Sequence, residues 1–323
     1  MVSLLLPTFL RLLTIGAVLL TIVSSAWASD AETAPLAEKS LLLDGQSVGS
    51  RLVAVGERGH ILVSTDAGRS WQQRPVPTRA TLTSVFFADE RHGWAAGHNG
   101  VILRSSDGGS SWQKVHEDLE SGPILDLWFR DVNSGYAVGA YGLCLVTGNG
   151  GATWEPRPIV DDSGTALDLH FNQLRVGTDG RLVIAGEAGL LLYSRDGRSW
   201  QPQAFPYEGS LFGTLPLEGG RLLAFGLRGH LFRSAGDGRG WQEVATGTEA
   251  ILNDAIRLRD GRVVVVGLAG TVLVGSDATH FTTIVQSDRP GISRVLEAGD
   301  GALVLLGTHG ARRLELPGAG AHP

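Results

Sequence analysis

Seven pairs of glycines, each pair separated by two residues, recur through the chain at nearly constant intervals. They are Gly56/Gly59, Gly97/Gly100, Gly139/Gly142, Gly186/Gly189, Gly226/Gly229, Gly267/Gly270 and Gly307/Gly310, and successive pairs begin 41, 42, 47, 40, 41 and 40 residues apart. Apolar residues flank each pair, as in Trp94–Ala96 before and Val101–Arg104 after the second. Each pair therefore reads as the turn of a β-hairpin, where glycine reaches the positive φ that tight turns need. A unit this short cannot bury its own apolar faces, so neighbouring units must share a core.

An aromatic residue follows the first glycine of each pair by 14 or 15 positions: Trp71, Trp112, Trp154, Trp200, Trp241 and then Phe281, with none in the seventh unit. A large flat ring at a fixed place in each unit is expected to pack between neighbours. Upstream of the hairpins lie further apolar runs, such as Leu82–Phe87, Ile124–Phe129, Ala166–Phe171, Ile251–Leu258 and Ile292–Ala298. That makes four short strands per unit. Period, strand count and the 45 glycines among 323 residues predict an all-β fold, a seven-bladed β-propeller of four-stranded blades over residues 40–317. The last unit supplies only three strands. The expected fourth comes from an N-terminal arm, residues 29–39, with residues 34–39 pairing with blade seven and hiding a sheet edge. Residues 318–323 form a tail.

The N-terminus reads as a separate element. Arg11 precedes an apolar run from Leu12 to Val23, and Ala26-Trp27-Ala28 follows. This is the pattern of a secretory signal peptide over residues 1–28, cleaved near Ala28; the alternative is an uncleaved anchor helix. Loss of Arg11 would take the formal charge from −6 to −7. An acidic chain of this kind is not expected to bind nucleic acid or an anionic membrane directly. The single cysteine, Cys144, lies in the apolar run Leu143–Val146 and is expected to be a buried thiol without a disulfide.

The polar turn before each aromatic has its own form. Ser64-x-Asp66-x-Gly68-x-x-Trp71 and Ser105-x-Asp107-x-Gly109-x-x-Trp112 match it in full, and Thr147-x-Asn149 leading to Trp154 is a conservative copy. Blades four to six keep Asp196, Asp237 and Asp277 at shifted positions. The acid is expected to accept hydrogen bonds from turn N–H groups while the glycine takes the left-handed position, a structural role. The pattern resembles the Asp-box of the bacterial neuraminidase repeat, which occurs in sialidases and in many non-enzymatic propellers. Beyond residue 28 the chain is also similar to the photosystem II stability/assembly factor family and its relatives in non-photosynthetic bacteria, through Val55–Trp71 and Gly93–Trp112. That resemblance implies an exported propeller without catalytic activity that binds membrane-protein assembly intermediates. The Arg-rich, Lys-poor composition suggests a Gram-negative source, in which it would be periplasmic.

Three functions are open to such a fold. A sialidase-like glycosidase needs a tyrosine nucleophile, an arginine cluster and an acid/base carboxylate. Only Tyr136, Tyr141, Tyr193 and Tyr207 exist, two of them inside expected strands, and no Arg-Ile-Pro motif precedes the first Ser-x-Asp turn. No metal-spaced histidine pair, G-x-S-x-G motif or P-loop is present, so no catalytic residue, metal or cofactor is assigned. A glycan-binding propeller or a module without a dedicated ligand is the second possibility. The third is a monomeric docking surface. All seven hairpin turns should share one face, where Arg58, Arg79, His98, Tyr141, Arg228 and His309 form an expected partner-binding patch. Entry loops add Glu117, Asp118, Glu120, Asp161 and Asp162 to the same face. Arginine and tyrosine are the residue types that anchor protein interfaces. The expected partner is a membrane-protein complex or its assembly intermediate, with any membrane association made through that partner.

Overall fold

A computed structural model of the chain describes residues 30–236 and 238–316. The expected export segment, the tail 318–323 and Asp237 lie outside the described residues. Those described form a β-propeller of seven antiparallel sheets in a ring, in which the first inner strand packs against those of both the second and the seventh blade. Blade one sets the pattern: an inner strand Leu42–Val48, then Arg51–Gly56, Ile61–Ser64 and a short outer strand Gln72–Gln73.

Alternation along the second strand sends side chains to opposite seams, because successive residues of a strand point to opposite faces. Val53 and Val55 join a cluster shared with blade two, whereas Leu52 and Ala54 join one shared with blade seven. Seven apolar clusters result, one at each seam. The aromatic that ends each of blades one to six packs into the seam with the preceding blade: Trp71 against blade seven, Trp112 against blade one, Phe281 against blade five. Trp112 meets Phe87 edge-on at 5.9 Å. Trp94 stacks on Phe129 of the next blade and donates its indole N–H to Gly150 O (3.0 Å). Cys144 is buried as expected, and burial pushes its thiol up to about 12, so it is inert at neutral pH.

A second system of contacts lines the channel. In every blade the inner strand carries a register shift after its first residue. The residue just beyond it is Asp44, Ser84, Asp126, Gln173, Gly213, Asp254 or Arg294, in blade order. These side chains stitch each blade to the next. Asp44 Oδ2 accepts from Val85 N (2.8 Å), Ser84 Oγ from Leu127 N (3.2 Å) and Asp126 Oδ2 from Leu174 N (2.8 Å). Gln173 Oε1 accepts from Thr214 N (2.7 Å), and Asp254 Oδ2 from Val295 N (3.0 Å). Gly213 has no side chain to offer blade six. At the closing seam Arg294 spans three blades, with Nη1 3.0 Å from Asp254 Oδ1 and Nε 3.0 Å from Asp44 Oδ1 and 3.2 Å from Gly45 O. Arg175 pairs with Asp126 at 2.7 Å. Burial raises the Asp254 carboxyl against the pull of Arg294, while the surrounding carboxylates raise Arg294 despite its burial.

The arm departs from expectation. Among the described residues blade seven has three strands, Ile292–Glu297, Leu303–Gly307 and Gly310–Leu314, and the arm adds none. Ala37–Lys39 form a single 3-10 turn instead. The reason lies in where the arm's backbone donors go. Ala31 N bonds Val76 O, Ala34 N bonds Gln73 Oε1, and Lys39 N and Ser40 N close the turn on Leu36 O and Ala37 O. These bonds tie the arm to blade one and to its own turn rather than to the edge strand of blade seven. The arm acts as the entry loop of blade one: Glu38 O sits against Gly310 as Thr78 O sits against Gly59. Ala34 and Ala37 meanwhile cover the seam between blades seven and one, beside Leu296 and Leu306. A variant lacking residues 30–39 should lose about 2 kcal/mol, lowering Tm by about 5 °C. An unchanged melting curve would show that the arm's cover over the seam between blades seven and one does not stabilise the ring.

Candidate functional site

Antiparallel order fixes two faces. One carries the Gly-x-x-Gly turns and the loops that enter the inner strands; the other carries the Ser-x-Asp turns.

On the second face the carboxylates are consumed by their own turns. Asp66 Oδ1 accepts from Ser64 Oγ (2.8 Å), Arg69 N (3.0 Å) and Ser70 N (2.9 Å), and Oδ2 accepts from Ser70 Oγ (2.6 Å). Asp107 repeats this with Ser105 and Ser111, and Asn149 does so with Thr147 and Thr153. Gly68, Gly109 and Gly151 take φ of 80°, 83° and 80°. Trp71, Trp112 and Trp154 turn inward to the seams. The bonds from Ser70 and Ser64 hold Asp66 well below the usual carboxylate range. Those from Ser199 and Arg198 hold Asp196 at about 2. Such groups stay ionised and hydrogen-bonded at neutral pH, the opposite of what a general acid requires. Two tyrosines are equally committed. Tyr136 Oη donates to Asp196 O (3.4 Å) and Tyr193 Oη to Gly238 O (3.1 Å), both within seams, and burial pushes Tyr193 up to about 12. Among the described residues no group of three or more His, Cys, Asp or Glu could hold a metal ion.

The first face is built by close backbone approach. In the turn Ala140–Gly142, a Cβ on Gly142 would stand 1.8 Å from Leu167 O of the following loop. Gly142 also has φ 72°, a region that L side chains rarely enter. The first glycine of a pair is pinned differently: a Cβ on Gly97 would lie 2.0 Å from Thr81 O. Corresponding contacts recur around the ring, so the turns stand at one height and grip the loops beside them. Their outermost residues are left-handed although they are not glycine: Arg58, Asn99, Tyr141, Ala188, Arg228 and Ala269, with φ between 54° and 61°. All six are exposed, as is His309 in the seventh turn.

The structure separates the six expected docking residues into two groups. Arg58, His98 and Arg228 are exposed and make no side-chain hydrogen bond or ion pair among the described residues. Tyr141 is 68% exposed, with its ring 4.9 Å from that of His170. His170 in turn lies 3.2 Å from Glu187. Arg79 and His309 are engaged. Arg79 holds the arm, with Nη2 2.5 Å from Glu32 Oε1 and Nε bonded to Asp30 O (3.1 Å). His309 shares Asp288 with Arg312. Sequence reasoning did not find the apolar part of this face, Leu119, Val160 and Leu268, all exposed in loops or turns.

The sequence model of the photosynthesis system II assembly factor YCF48 matches residues 63–123 and 105–280. No curated protein matches the chain significantly. Among solved structures, a YCF48 bound to a D1 peptide aligns with TM-score 0.70 and 20% identity, over 84% of this chain and 92% of that one. YCF48 from Cyanidioschyzon merolae aligns with TM-score 0.70 and 18% identity, over 88% and 98%. The WD40 propeller domain of Doa1 aligns with TM-score 0.68 and 13% identity, over 89% and 95%. At these identities the structural likeness establishes the fold.

Proposed function

The chain belongs to the YCF48 family of photosynthesis system II assembly factors, and on that premise we propose that its Gly-x-x-Gly face docks a segment of a membrane protein during assembly. The observation that carries this reading is the exposed, unpaired set Arg58, His98 and Arg228, held with Tyr141 on one face by seven rigid turns. Preformed arginine and aromatic anchors bind without the cost of ordering a loop. A propeller of the same family and fold has been solved with a D1 peptide, which supports a peptide as the kind of ligand such a surface takes. The role is non-enzymatic, in keeping with carboxylates and tyrosines spent on turns and seams. The export pattern of residues 1–28 supports a periplasmic site of action, with the protein reaching membranes through its partner.

The test is capture of partners from detergent-solubilised membranes by the tagged protein. We expect an integral membrane protein with the wild type and its loss in the double charge reversal Arg58→Glu/Arg228→Glu, with melting temperature unchanged. Undiminished capture by that variant would overturn the assignment.

A further inference from the structure

Of the six large apolar side chains exposed among the described residues, three belong to one sector of the turn face: Leu119 (71%), Tyr141 (68%) and Val160 (50%). Backbone contacts bring their segments together. The hairpin turn of blade three carries Tyr141 and lies between the loop that enters this blade and the loop that leaves it. A Cβ on Gly122 of the entering loop would stand 3.0 Å from the Tyr141 ring. Gly142 N bonds Leu169 O of the leaving loop (2.8 Å), and Val160 faces Ala166 across a bridge that stiffens that loop. Soluble monomers rarely gather exposed apolar groups in this way without a partner.

The loops that carry Leu119 and Val160 are rich in carboxylates. The segments 116–122 and 159–169 hold Glu117, Asp118, Glu120, Asp161, Asp162 and Asp168, and neither has a lysine or arginine. Lys114 is spent on Glu117 at 2.7 Å. Asp118 and Asp161 are tied into their own loops by Ser121 and Ser163, which fixes the loop shape and keeps both ionised. The side chains of Glu120, Asp162 and Asp168 make no hydrogen bond or ion pair among the described residues. Burying apolar surface beside such a cluster favours a ligand that brings cations with it, because a neutral or anionic one would leave the carboxylates desolvated and unpaired.

We infer that the blade-three sector is a distinct subsite for a cationic, apolar peptide segment, one that sets a leucine- or phenylalanine-sized side chain on Leu119, Tyr141 and Val160 and lysines or arginines against Glu120 and Asp162. This rests on the docking role proposed for the face and adds the chemistry of the partner at one place on it. Arg58 and Arg228, in blades one and five, lie outside this sector and would take a different part of the partner.

Fluorescence anisotropy with a dye-labelled peptide of alternating lysine and leucine tests it at low salt. The wild type should bind this probe, bind its lysine–serine counterpart about tenfold more weakly, and leave the glutamate–leucine counterpart free. Leu119→Ser/Tyr141→Ser and Glu120→Lys/Asp162→Lys should each weaken binding about tenfold or more, with circular dichroism melts unchanged. Val285→Ser, at an exposed apolar residue of an outer strand, should leave it unaltered. No binding by the wild type, equal binding of all three peptides, or equal loss with Val285→Ser would overturn the inference. The Arg58→Glu/Arg228→Glu variant separates the two proposals. Failure of membrane capture by the wild type, with the probe still bound in a Tyr141-dependent way, would refute the docking role and leave this subsite standing.

Discussion

Replacing Arg294 by methionine will destabilise the propeller by about 3–5 kcal/mol at pH 7, a fall in Tm of about 10 °C. The guanidinium, carried by blade seven, bridges blades six and one through Asp254 and Asp44. Methionine fills much of the volume but leaves two buried carboxylates facing each other without their cation. Ionised groups stranded in this way cost far more than the pair contributed while intact. The loss should shrink as the pH falls. Asp254 is already raised by burial, and without Arg294 its native pKa moves further above the unfolded value of about 3.9. The native state then binds this proton more tightly than the unfolded chain. Its stability falls as pH rises from about 4 through the native pKa, so the variant gains stability relative to wild type between neutral pH and about pH 4. Adding Asp44→Asn should restore part of the loss at pH 7. A variant melting within about 2 °C of wild type at pH 7 would contradict the claim that this cation closes the ring.

Substituting Gly142 by alanine will cost about 3 kcal/mol, through left-handed strain of about 1–2 kcal/mol together with the displacement of the Leu167 carbonyl. The obstacle is backbone, so no rotamer change relieves it. The displaced turn carries Tyr141, and the Lys–Leu probe should bind more weakly as well. Gly148→Ala is the matched control: nothing lies within 4 Å of its added methyl, and it should melt within about 0.5 kcal/mol of wild type. Equal stability of the two variants would show that the paired glycines are not held by close approach.

The two residues illustrate what a single sequence reveals. Gly142 was legible because tight backbone approach admits one residue type, so the same glycine recurs in all seven units. The seam aromatics were legible for a related reason, since only a large ring fills that gap. The polar ring was not, because Asp44, Ser84, Asp126, Gln173 and Asp254 satisfy the equivalent backbone donor of the next blade with five side chains drawn from three residue types. Their partners lie about 40 residues away, and no local pattern links them. A signal did exist, in the polar residue two places into six of the seven inner strands, as in Leu42-Leu43-Asp44 and Leu252-Asn253-Asp254. The arm misled because ring symmetry alone suggested a strand, whereas Ala31 and Ala34 bond to the blade-one side and Lys39 closes a turn of the arm's own. At the candidate site the exposure of Arg58, Tyr141 and Arg228 followed from turn geometry. The engagement of Arg79 by Glu32 could not be foreseen, because it depends on the path of the arm. The blade-three sector left one trace in the sequence: the 47-residue step from Gly139 to Gly186 reflects the extended loop that carries Val160, Asp161 and Asp162.

The most direct measurement of the docking claim is hydrogen–deuterium exchange on the propeller, free and bound to its captured membrane partner. Protection should concentrate in the turns around Arg58, His98, Tyr141 and Arg228 and in the loop 116–122, while the Ser-x-Asp turns around Asp66, Asp107 and Asn149 exchange as in the free protein. Protection of the Ser-x-Asp face, with the Gly-x-x-Gly turns unchanged, would contradict the account.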